Sequence, residues 1–174
     1  MGNKEQTLSF VENWGHKTAA KNVVGRRIDY VLISSSKRIK MLGVGLLAPI
    51  KSPVVLKIRI LDLDTQKFMH QKTFNVDPKV VNNVIFYYNF KNELHIKRSG
   101  VLLLMLEVIG GPTYTYHQAK TSETGEDGIR VSISRNLPIE VQRLISYPEN
   151  SHPAMLLQGI RYIREDKELS CYSC

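Results

Sequence analysis

The stretch "KRIKMLGVGLLAPIKSPVVLKIRILDLD", residues 37–64, decides the fold, because it admits two opposed readings. Gly43-Val44-Gly45-Leu46-Leu47-Ala48 fits the G-x-G-x-x-A form of a dinucleotide-binding turn. An apolar run precedes it, and Asp62 and Asp64 follow near the place of a ribose-binding acid. Such a turn works only if a helix starts at its end, since the helix's backbone amides and dipole hold the pyrophosphate. Pro49 directly follows Ala48, and Pro53 would fall inside that helix, where it removes a hydrogen bond and clashes with the preceding turn. The residues after Pro53 alternate instead, with Leu56, Ile58 and Ile60 on one face and Lys57 and Arg59 on the other, as in a half-buried strand. Gly43 and Gly45 are therefore read as strand positions where a neighbouring backbone or a twist needs room. After Ile60 the phase slips and Leu61 and Leu63 become the apolar positions, which predicts a bulge or an edge near Ile60.

The same alternation recurs on both sides of this stretch. "RIDYVLIS" (27–34) and "RIKMLGVGLL" (38–47) form a first pair, with "SSSK" as the turn. "KFMHQKTFNV" (67–76) and "NVIFYYNF" (83–90) are separated by "DPKVVN". "VLLLMLEVI" (101–109) is apolar on both faces, as a central strand covered on both sides would be. "GIRVSIS" (128–134) and "AMLLQGIRYI" (154–163) complete the series. Eight or more strands with few helix signals specify an all-β fold. "NLPIEVQRLIS" (136–146) fits a short helix with Pro138 in its first turn, through Leu137, Val141, Leu144 and Ile145, and fits a strand equally. The tail from Arg164 onward is polar, and fraying is expected there.

At 174 residues the chain has room for one core, so a single domain is expected. Its longest uninterrupted apolar run, Val101 to Leu106, falls far short of the ~20 residues of a membrane helix. The first ten residues lack the apolar region of a signal peptide. The two cysteines, Cys171 and Cys174, both stand at the C-terminus, so no disulfide framework holds the core, and a reducing, cytoplasmic home is expected, with the nucleus as the other compartment. Neither terminus meets a lipidation motif: Gln6 stands where myristoylation requires Ser or Thr, and "CYSC" lacks aliphatic centres. Net charge is +8 and uneven, with 18 Lys and Arg against 8 Asp and Glu in residues 1–120, and 6 against 8 in residues 121–174. A basic face on the first two thirds suits nucleic acid, acidic lipid or an acidic protein alike.

Catalytic patterns are missing from the sequence. The five histidines are scattered without H-x-x-x-H spacing or a nearby cysteine, so neither a metal site nor a cofactor is expected. No G-x-S-x-G elbow or phosphate-binding G-x-x-x-x-G-K loop occurs. Asp62 and Asp64 are i, i+2 neighbours on one strand and cannot straddle a cleft as a carboxylate dyad must. One loop, "GGPTYTYHQ" (110–118), gathers glycines, a proline, two tyrosines and a histidine directly after the most buried strand. Tyr114, Tyr116 and His117 are amphipathic groups suited to a contact surface, and the tyrosines suit the capping of a core equally well.

The order of these features resembles the PHR domain family, found in Pam and Highwire-type ubiquitin ligases and at the C-terminal end of BTB-BACK adaptors. "NWGH" (13–16) is similar to the family's R-W-G-Y opening. "RRIDYVLISSSKRIKMLGVGLLAP" (26–49) resembles its D-x-I-x-F strand, R-R-I-F turn and G-x-G-L-Y-G strand, with "KIRILD" (57–62) and "KTFNVD" (72–77) at the next strand positions. "GGPTYTYH" (110–117) resembles the G-P-x-S-H-Y-G loop, and "LLQGIRYI" (156–163) the closing strand. The likeness covers residues 13–163, leaving 1–12 as a lead-in and 164–174 as a tail. Departures occur where Ala48-Pro49 replaces Tyr-Gly, where the G-P loop lacks its trailing glycine, and along 119–153, whose register is undefined by the comparison.

The resemblance implies an antiparallel β-sandwich, jelly-roll-like and of PHR type. It implies no catalysis, and loops at one end presented to a protein partner, among them components or substrates of a cullin-based ubiquitin ligase. It places Trp14, Pro112, Tyr114, Tyr116 and His117 at the contact surface, Trp14 having a core anchor as its other reading. With no room for BTB or BACK regions and no cysteines for a RING, a recognition piece is expected rather than a ligase. The alternative function is nucleic-acid binding through Tyr87 and Tyr88 as stacking platforms near Lys91, Lys97 and Arg98. Against it, basic residues are dispersed and no run exceeds two. Membrane-surface attachment would need a second signal that the termini lack.

Overall fold

The structure is a computed structural model that describes residues 3–11, 18–19, 25–81, 84–115, 120–146 and 156–165. Strands dominate: β1 (Gln6–Ser9), β2 (Thr18–Ala19), β3 (Gly25–Ser35), β4 (Ile39–Leu47), β5 (Val54–Asp62), β6 (Lys67–Val76), β7 (Ile85–Ile96), β8 (Val101–Gly110), β9 (Tyr114–Thr115), β10 (Ser122–Thr124), β11 (Arg130–Ser134) and β12 (Leu157–Arg164), with one short helix, α1 (Ile139–Leu144). Two antiparallel sheets form a sandwich. One has the order β1-β12-β4-β7, the other β10-β11-β3-β8-β5-β6, and β2 and β9 make a small separate ladder. The main core lies between the sheets, where Val31 and Ile33 of β3, Ile58 and Ile60 of β5 and Leu104 and Leu106 of β8 meet Met41, Val44 and Ile160 of the other layer.

The nucleotide reading fails in the structure as it does in the sequence. Gly43 and Gly45 lie inside β4, and no helix follows Ala48. A Cβ on Gly43 would stand 2.5 Å from the carbonyl oxygen of Tyr88 on β7, and one on Gly45 would collide with the side-chain oxygen of Gln158 on β12. Backbone and side chains of the two flanking strands occupy the space these glycines leave open.

The bulge expected near Ile60 lies on the partner strand: Ile60 pairs with His70 and Leu61 with Phe68, so Met69 of β6 is the extra residue. β5 itself stays in unbroken register with β8, and Leu61, next to the inward Ile60, faces the outer side of the six-stranded sheet by ordinary alternation. There it joins Ile28, Tyr30, Leu103 and Met105 in a second buried cluster, covered by Leu137, Val141 and Ile145 of α1 and its flanks. This cover explains why Val101 to Ile109 is apolar on both faces, and within 136–146 it falls to a helix over Ile139–Leu144 with its flanks. Leu144, the fourth residue of that apolar set, is 44% exposed on the far side.

Two features differ from the sequence reading. β3 and β4 are joined by the expected tight turn but belong to different sheets, so they are not a hairpin pair. The sandwich also begins earlier than residue 13: β1 pairs with β12, and Leu8 and Phe10 are buried in the main core. The two ends of the sandwich are unlike. Short turns at 36–38, 63–66, 97–100 and 125–129 close one end, while the connections after β1, β4, β6 and β8 and before β3 and β12 leave from the other. At the chain's C-terminal end, Cys171, Cys174 and most of the tail lie outside the described residues.

Candidate functional site

The loop after β8 sits at the end with the long connections. Its anchor is Arg27 on β3, which lies in phase with the core residues Val31 and Ile33 and therefore points inward. Only 2% of Arg27 is exposed. Its Nη2 donates to the carbonyl of Gly111 at 2.6 Å and its Nη1 to Thr113 Oγ1 at 3.4 Å, while Nε is buried without a partner. Among the described residues no carboxylate pairs with it, and burial pulls its pKa below the usual arginine value. A guanidinium is the side chain best able to stay charged under that penalty, and its planar fork reaches both loop acceptors at once.

Backbone bonds complete the support. The Ile50 amide donates to the Pro112 carbonyl at 3.0 Å, the Tyr114 amide to the Ala48 carbonyl at 2.9 Å, and Pro49 bridges Thr113. The segment 48–50 at the end of β4 thus clamps the loop from the opposite sheet. Thr113 is 1% exposed, whereas Pro112 and Tyr114 are half-buried. Asp29, the next inward position on β3, accepts from Arg135 Nε at 3.2 Å and from the Leu156 amide at 2.9 Å, tying the six-stranded sheet to the start of β12. Below the loop a small apolar cavity is lined by Leu47, Pro49, Val54, Phe86, Thr113 and Leu156, among others.

Of the five residues expected at the contact surface, Pro112 and Tyr114 lie on this clamped loop. Trp14, Tyr116 and His117 lie outside the described residues. The register nonetheless brings the neighbouring chain together, since Thr18 pairs with Thr115 and Ala19 with Tyr114. Thr18–Ala19 therefore runs beside Tyr114–Thr115.

Residues of the nucleic-acid alternative do not share one surface strip. Tyr88 is stacked on Phe74 with ring centroids 5.1 Å apart, and its hydroxyl contacts His70 Nε2 at 2.9 Å. Tyr87 is 43% exposed with the Arg161 guanidinium over its ring at 5.8 Å. Lys97 and Arg98 sit in the tight turn at the opposite end of β7, roughly 30 Å along the strand from Tyr87 at the usual rise per residue. Asp62 and Asp64 form a turn, with Asp62 Oδ1 accepting the Asp64 amide at 2.9 Å. Among the described residues no three His, Cys, Asp or Glu side chains gather as a metal site, and no helix is long and apolar enough to cross a membrane.

Sequence reasoning missed Arg27 and Asp29. Their signal was present, because both fall on the same strand parity as Val31 and Ile33, and charges in phase with a core stripe mark either a strut or a site. No protein-family model matches the chain, and no curated protein matches it.

Proposed function

We propose that the chain is a non-catalytic protein-interaction module of PHR type. Its partner surface is the end of the sandwich that carries the 110–115 loop. The observation that carries this reading is the clamp: a loop of exposed-type residues is bonded by Arg27 from one sheet and by 48–50 from the other. A recognition loop on a rigid base loses little conformational entropy when it binds, which is the condition for useful affinity from a small surface. Pro112 and Tyr114 are the described contact residues, and the PHR resemblance adds Trp14, Tyr116 and His117, which lie outside the described residues. By the PHR resemblance, the partner is a component or substrate of a cullin-based ubiquitin ligase, met in the cytoplasm. The nucleic-acid alternative draws less support, because Tyr88 is engaged inside the fold and Lys97 and Arg98 stand far from Tyr87.

The test is partner recovery by a Tyr114→Ala plus Tyr116→Ala variant that melts like the wild type. Recovery should fall at least about tenfold, as for loss of interface aromatics. Undiminished recovery contradicts the proposal. Retention on generic RNA that weakens steeply with salt would favour the alternative.

A further inference from the structure

A second surface lies on the side of the sandwich away from β1 and β10. β6 is the outermost strand of its sheet; it pairs with β5 alone, and among the described residues nothing pairs with its other side. Beyond the extra residue Met69, the run His70–Val76 is regular, each residue in register with one of Ile60–Val54. Alternate residues of such a run turn their amide and carbonyl groups outward, a ready template for another strand.

Charge selects what that strand is. Lys57 on β5, Lys67 and Lys72 on β6 and Lys91 on β7, the edge strand of the other sheet on the same side, belong to no ion pair among the described residues. The nearby carboxylates are committed: Glu107 takes Arg26 Nε at 2.7 Å and Arg59 Nη2 at 3.9 Å, and Asp62 holds its own turn. Lys72 stands opposite the fully buried Ile58, on the inward row between His70 and Phe74, yet it is exposed because the sheet ends there. A second copy pairing through β6 would gather two Lys72 ammoniums along one seam, and like charges across a ladder repel. An inward-facing lysine on an edge is a known guard against self-association. The same lysine attracts a strand of opposite sign.

We propose that the β6 edge receives an extended acidic segment of a partner protein, with Asp or Glu at alternate positions, as a seventh strand of the six-stranded sheet. Backbone bonds to His70–Val76 supply the pairing, and Lys72, with Lys91 on the neighbouring edge strand, supplies the choice of sign. This surface is separate from the loop end, so Tyr114→Ala leaves it intact.

The experiment titrates the 15N-labelled full chain with an acetylated, amidated heptapeptide of alternating Glu and Val. The controls are its Lys-Val counterpart and a Glu-Val peptide N-methylated at alternate residues. The Glu-Val peptide should slow hydrogen exchange at alternate amides of residues 70–76, weaken with salt, and bind K72E about tenfold less tightly, as loss of one well-placed charge does. The two control peptides should give no protection. A K72E/K91E variant, whose two sites are exposed, should reverse the preference and take the Lys-Val peptide. Equal protection by both charge types, shifts without backbone protection, or concentration-dependent dimerisation that protects the same amides would each overturn the proposal.

Discussion

Gly43 and Gly45 differ in what crowds them, and the difference has a measurable size. A Cβ at residue 43 meets the backbone oxygen of Tyr88, which is fixed by the β4–β7 ladder; at residue 45 it meets the side-chain oxygen of Gln158, which can rotate at the cost of its bond to Ser9 Oγ. Gly43→Ala should destabilise by about 2–4 kcal/mol and Gly45→Ala by about 1–2, read from urea midpoints. Equal costs would deny the close approach. Arg27 behaves differently, since it is a buried charge without a counter-ion among the described residues. Arg27→Met should leave the melting temperature within a few degrees, because removing an unpaired buried charge offsets the lost bonds. Exchange of the Ile50 and Tyr114 amides should nonetheless quicken about tenfold, as the loop loses its strut. A large fall in stability with unchanged exchange would make Arg27 part of the core and not a strut for the loop. His70 carries the acid sensitivity. Burial, and then the charge of Lys72, hold its pKa below the usual histidine value. On acidification the unfolded chain takes up this proton first, near the ordinary histidine pKa, so stability falls with falling pH below that point and levels off once the folded His70 is also protonated. His70→Phe should flatten this limb of the stability–pH curve; an unchanged limb would place the sensitivity elsewhere.

At the scale of elements, α1 exists to cover the outer cluster of Leu103 and Met105 on β8. Val141→Asp should cost about 1–3 kcal/mol and raise dye binding to exposed apolar surface, whereas Leu144→Asp on the exposed side should be near neutral. Similar losses from both would contradict the assigned face. Strands were legible because alternation is local: each of the eight runs read from the sequence overlaps an observed strand, and the bulge expected near Ile60 lies opposite it on β6. Sheet membership was not legible. Nothing local in "SSSK" distinguishes a hairpin from a crossover, since that choice depends on which layer has room for the apolar face. β1 escaped notice because four residues give too short a window for a period, although Leu8 and Phe10 carry its inward face.

The whole molecule is polarised, with tight turns closing one end and clamped connections at the other, and two long edge strands along one side. Half of the candidate site was visible as residue type in "GGPTYTYHQ"; its support was not, because Arg27 and Ala48 reach the loop from 86 and 66 residues before Thr113 and Tyr114. Such distant pairings leave no periodic trace. The most direct measurement of the central claim places a photo-crosslinking amino acid at Tyr114 in one variant and at Arg98, in the closed end, in another. Irradiation in cells should yield a discrete partner adduct from position 114 and none from position 98. Equal adducts from both positions, or an adduct from 98 alone, would contradict the assignment of the clamped end as the recognition surface.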